Sequence, residues 1–222
     1  MCFSANASFT AGTVLTVIGA ISVRKVRVPS QIFFASIPII FAIQQFSEGF
    51  LWLSLTKPAF AELKVSMTFI FLFFAQIVWP FWVPFAVMKM NDTGKGKSFG
   101  KILLLCGTAV SVYLGYCLLN YPVNAQSDGM HIAYDQQYPQ SAAFVCGILY
   151  VLATIFPPFF SGIKRMWMLG FAILISYVIT TIFYNDYLVS VWCFFASVIS
   201  IAVYSVVHSL NASAENVVPS KI

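Results

Sequence analysis

Glu48 is the only formally charged side chain well inside an apolar run, Gln31 to Leu55, and it stands in "IIFAIQQFSEGFLW" beside Gln44 and Gln45. An ionised carboxylate at the centre of a helix in lipid costs about 2.5–3.5 kcal/mol on insertion scales. Glu48 is therefore expected to face protein or to carry a proton. Gln44 precedes it by four residues and Gln45 by three, and Trp52 follows by four, so all four share one helical face. Such a face can hold a ligand, exchange a proton, act as acid or base, or pin helices together by hydrogen bonds.

Cys2, Cys106, Cys117, Cys146 and Cys193 follow no CxxC or zinc-finger spacing, which excludes the standard structural metal motifs. Cys106, Cys117 and Cys146 read as buried apolar fillers. Cys2 precedes the first apolar segment and Cys193 lies about two turns inside the last one, so both can approach the level of Glu48. Three arrangements fit. They could form a disulfide in an oxidising compartment. With His131 and Glu48 they could bind zinc or copper, since thiolate, imidazole and carboxylate suit those metals. After removal of Met1, Cys2 could act as a nucleophile beside its own amine, with Glu48 as acid or base. Packing alone is the fourth reading.

The elements that must position these groups are apolar helices. Of the 222 residues 60% are hydrophobic and 9% charged, far from the balance of a soluble domain. With about 20 apolar residues per span, the chain reads as an all-α polytopic membrane bundle of about seven transmembrane helices. They are placed at residues 6–23, 31–55, 65–88, 102–120, 141–160, 166–185 and 187–208. Residues 1–210 form one domain, and residues 211–222 a polar cytoplasmic tail expected to be disordered. Ten Lys and Arg fall in loops on one side, and only Lys57 and Lys64 on the other. The N-terminus is thus expected outside and the C-terminus in the cytoplasm. The +5 net charge is this asymmetry and not a nucleic-acid patch. No cleavable leader is expected, because the positive charges follow the first apolar segment.

Pro80 and Pro84, after Trp79, predict a break in the third span whose freed carbonyls face protein. Gly107, Ser111 and Gly115 form a small-residue stripe suited to close helix packing. The exterior loop 121–140 contains Asp128, His131 and Asp135, and its tyrosines and prolines could fold it as a lid over the outer face. His208 reads as a lone interfacial histidine, and Trp52, Trp82 and Trp167 as interface anchors. A rhodopsin is excluded by the lack of a lysine in residues 187–208. The membrane ceramidases fit poorly, because no span interior carries a histidine.

The strings "MCFSANASF", "FAIQQFSEGFLW" and "VWCFFASVIS" resemble an uncharacterised family of bacterial membrane proteins whose members begin Met-Cys-Phe-Ser-Ala. The resemblance implies motif roles for Cys2, Glu48, Trp192 and Cys193. Gln44 and Gln45 stand where that family has a His-Gln pair, which removes an intramembrane metal ligand. Together these readings give a multi-pass protein of the bacterial inner membrane. It would carry an outward-facing polar pocket of Cys2, Gln44, Gln45, Glu48, Trp52, Trp192 and Cys193 for a small ligand or metal ion. The alternatives are a membrane enzyme with Cys2 as nucleophile, a proton-coupled carrier, and an accessory subunit of a membrane complex.

Overall fold

A computed structural model describes residues 4–91, 95–139, 142–183 and 195–215. Helix α1 (Ala5–Arg24) opens on Ser4, whose hydroxyl accepts the Ala7 N–H at 3.2 Å, and closes with Arg24 in its last turn. Both ends follow ordinary capping physics: an oxygen on orphan donors, a cation near the negative pole. After a 3₁₀ turn, α2 (Ile32–Ala35) and α3 (Ile37–Thr56) make one long apolar element. Helix α4 (Leu63–Leu72) runs through a π-helical segment, Phe73–Val78, directly into α5 (Trp79–Met90). Helix α6 (Lys95–Asn120) leads to strands β1 (Val123–Asp128) and β2 (His131–Gln136), followed by α7 (Ala143–Ile155), α8 (Met166–Phe183) and α9 (Ala196–Glu215).

Among the described residues, five helical elements are long and apolar enough to cross a membrane: Ala5–Arg24, Pro29–Thr56, Leu63–Met90, Lys97–Asn120 and Met166–Phe183. The fifth expected span is shorter as a helix. α7 ends at Ile155, before the 3₁₀ turn Pro157–Phe160, because neither Pro157 nor Pro158 can donate to the preceding turn. The seventh span's first residues lie outside the described ones. Its helix continues to Glu215, into the segment expected as a tail.

Helices α1 and α3 pack antiparallel through small residues. A side chain at Gly12 would meet the Phe46 ring, at Gly19 Ile39, and at Gly49 the Phe9 ring. Their contact continues into a core shared by α2, α3, α5, α7, α8 and α9, built on Phe34, Phe41, Trp79, Leu169 and Val203. Far from the hairpin, Lys25 Nζ donates to the Tyr204 hydroxyl at 3.0 Å and lies 3.5 Å from His208 Nδ1. Tyr204 and His208 stack at 6.0 Å. His208 is therefore not the lone interfacial group that its isolation in sequence suggested.

The connection 121–140 is a β-hairpin rather than an irregular loop. Val123 pairs with Gln136 and Asp128 with His131 across a two-residue turn that Gly129 enters at φ 57°, a conformation that glycine adopts without strain. Its apolar face closes over one end of the bundle. Ala125 and Ile132 are buried against Leu51 and Trp52, and Tyr134 stacks on Phe71 at 5.1 Å. Trp52 is consequently 4% exposed, a core residue under the hairpin and not an interface anchor, whereas Trp167 is exposed.

Candidate functional site

The buried face of α3 changes character along its length. Ile37, Phe41, Gln44 and Glu48 recur at four- and three-residue intervals and so form one stripe. Its first two members are apolar, the next two polar, and Trp52 continues it up to the hairpin. Gln44 and Glu48 are 0% exposed and Gln45 1%, as the cost of presenting them to lipid requires. Gln45 Nε2 donates to Glu48 Oε2 at 3.3 Å, and the Trp79 indole N–H donates to Gln44 Oε1 at 2.7 Å. Trp79 also stacks on Phe41 with centroids 3.8 Å apart. One tryptophan thus binds the apolar and the polar parts of the stripe.

Trp79 is presented by the π-helical segment. Its own N–H donates to the Phe74 carbonyl five residues back, and the next bond of that series would run from residue 80 to Ala75. Pro80 has no N–H to make it. The Tyr150 hydroxyl of α7 donates to the Ala75 carbonyl instead, at 2.5 Å. Two residues on, the Ile77 carbonyl lies 2.8 Å from the Ser111 hydroxyl of α6, which shares its one hydrogen between that oxygen and the Gly107 carbonyl, also at 2.8 Å. Pro84 likewise leaves the Pro80 carbonyl without its helical donor, and α6 lies against that oxygen at Gly107, where any Cβ would collide with it. The stripe Gly107, Ser111, Gly115 therefore serves the broken helix. The carbonyls freed by proline face protein, and the predicted break takes the form of a π segment, a feature frequent at functional sites.

Beside this break lies a cavity of about 280 Å³. Ile37 and Phe41 of α3, Trp79 and Val83 of α5, Tyr150 and Val151 of α7, and Leu169 and Ile173 of α8 form half of its wall. Gln76 lines it toward the hairpin, where its side-chain amide bonds that of Gln136. Tyr138 lines the same end, and burial, aided by the neighbouring Cys117 and Cys146, raises its pKa, so its phenol stays neutral. Gln45, Glu48 and Trp52 do not line this cavity. They sit outside it on α3, where Leu51 and Trp52 pack with Ile132 of the hairpin, and Gln44 too lies outside the lining and meets it only through its bond from Trp79.

Of the expected site residues, the structure brings together Gln44, Gln45, Glu48 and Trp52 on α3. Cys2, Trp192 and Cys193 lie outside the described residues. His131 sits in β2 opposite Asp128; burial lowers its pKa, against the pull of Asp128. No group of three or more His, Cys, Asp and Glu side chains poised for a metal occurs among the described residues. Cys117 is buried, as expected of a filler, while Cys106 and Cys146 are only partly so. Sequence reasoning passed over Gln76, Tyr150 and the cavity role of Trp79. The available signal was Gln76 itself, an amide within an apolar span four residues before Pro80.

No curated protein and no solved structure matches the chain. Residues 1–217 match a family of unknown function, DUF6629, and the chain belongs to that family, in keeping with the expectation of an uncharacterised one.

Proposed function

We propose that the protein is a multi-pass protein of the bacterial inner membrane that binds a small, largely apolar ligand within its helix bundle. In this reading the hairpin faces outward and the lysine-rich ends of the helices face the cytoplasm. The observation that carries it is the cavity of about 280 Å³ walled by six helices, α3 and α5 to α9. A cavity of about 150 Å³ already takes up benzene, and ligand sites combine such apolar walls with a few fixed polar groups. Here the fixed groups are Gln76 and Trp79, each held by a hydrogen bond to another side chain. The Glu48–Gln45 pair is a buried polar group on α3 outside the lining of that cavity.

Native mass spectrometry of protein released from lipid nanodiscs tests the reading. The expected result is one retained small molecule per chain, lost in Val151→Trp, whose ring would occupy the cavity. Wild type and variant both emerging bare, with no apolar compound raising the Tm of either, would defeat it. A carrier reading is favoured by one further observation: the face of α3 that lines the cavity at Ile37 and Phe41 continues to a buried carboxylate, Glu48. That version requires Glu48→Gln to abolish the pH dependence of ligand release.

A further inference from the structure

The cavity wall restricts the charge of its occupant and the direction from which it comes. Every described lining residue is uncharged, and its polar members are Gln76, Trp79, Tyr138, Tyr150, Thr154 and Tyr177. All six have partners in the protein, among them Gln136 for Gln76, Gln44 for Trp79, the Ala75 carbonyl for Tyr150 and the Tyr150 carbonyl for Thr154. An ionised headgroup placed there would lose its hydration and meet no counter-charge, a cost that far exceeds what neutral hydrogen bonds return. A hydroxyl, ester or ketone needs only one donor or acceptor, and the Gln76 amide keeps a second N–H and a second lone pair beyond its pairing with Gln136, at the hairpin end that Tyr138 also lines.

The mouth of the cavity is on the side of the bundle. Gly147 of α7 both lines the cavity and is exposed, and a Cβ there would meet no atom within 4 Å. Its neighbours Phe144, Val145 and Ile148 on the same helix are exposed large apolar residues, Phe144 at 78%. Such a surface is stable only against acyl chains. The opening at Gly147 therefore faces the hydrocarbon and not water.

We infer that the ligand is a neutral amphiphile dissolved in the bilayer, which reaches the cavity laterally past Gly147 and places its single polar group near Gln76 and Tyr138. The inference rests on the cavity reading above and deepens it. The test is competition at pH 8 on wild-type protein in nanodiscs, with empty nanodiscs as background. Tritiated decanol is the probe, and decanol, decanoate and decyltrimethylammonium are the competitors. These share one chain and differ in headgroup charge. The expected result is saturable decanol binding, with both charged competitors at least about tenfold weaker than decanol. Either charged competitor matching decanol would overturn the inference and leave the cavity reading standing. Absence of saturable decanol binding would overturn both. Gly147→Leu narrows only the mouth and should slow decanol association at least about threefold; an unchanged rate would remove the lateral route.

Discussion

Trp79 carries two jobs that no other described side chain duplicates: its ring covers Phe41 at the cavity and its N–H holds Gln44. Trp79→Phe keeps most of the first and deletes the second. The expected outcome is a loss of about 1 kcal/mol or somewhat more from a buried hydrogen bond, read as a lower Tm in detergent. Gln44→Leu in the Trp79→Phe background should add less than it does alone, because the two side chains share that bond. At the hairpin, His131 has a folded-state pKa lowered by burial, with Asp128 opposing. Just below the unfolded value of about 6.5, the unfolded chain then binds more protons than the folded one. Stability contributed by neutral His131 is thus present above that value and falls as the pH drops toward the folded pKa. Melting curves across this window should show a downward step in wild type that His131→Gln lacks. At this scale the sequence was readable where a cost forced the answer: a carboxylate in an apolar run has to be buried, and Glu48 is. It was silent where partners come from distant segments, since nothing near Trp79 indicates that its donor reaches an amide on α3.

The π-helical segment is an element whose cause lies in one residue and whose repair lies in another. Pro80 removes the donor that would serve the Ala75 carbonyl, and the Tyr150 hydroxyl supplies it from α7. Tyr150→Phe should cost about 1–3 kcal/mol, the range for a buried acceptor deprived of its partner. Pro80→Ala restores a backbone N–H at the position from which the bond is missing. The double variant Tyr150→Phe/Pro80→Ala should therefore be more stable than the sum of the two single changes predicts, and additive melting shifts would show that the hydroxyl does not replace the missing bond. The prolines made a break legible, and the stripe Gly107, Ser111, Gly115 made a close contact legible. Their connection was not legible, because a carbonyl's partner depends on which helix lies beside it, and single-sequence periodicity does not report neighbours. The hairpin was missed for a related reason. Strand β1, "VNAQSD", has one buried residue in six, too little alternation to read as a strand before Ile132 and Trp52 are known to meet.

For the whole molecule, the two ends of the bundle differ in kind. One is closed by a hairpin without Lys or Arg, and the other carries Arg24, Lys25, Arg27, Lys89, Lys97, Lys101, Lys164 and Arg165. The order of helices makes this division consistent, since α1 and α3 are antiparallel by their glycine contacts and Lys25 meets Tyr204 and His208 at the end away from the hairpin. A translocating chain retains clustered Lys and Arg on the cytoplasmic side, so the hairpin should be exterior. Ser127→Cys, exposed near the tip of the hairpin, is then expected to react with a membrane-impermeant maleimide in intact cells, above the background of the native cysteines. Lys101→Cys, on the exposed side of α6, should react only after the cells are permeabilised. The reverse pattern would turn the molecule over. It would place Gln76 and Tyr138 at the cytoplasmic end, while the proposed mouth at Gly147, set along the side of the bundle, would keep its lateral position in either orientation.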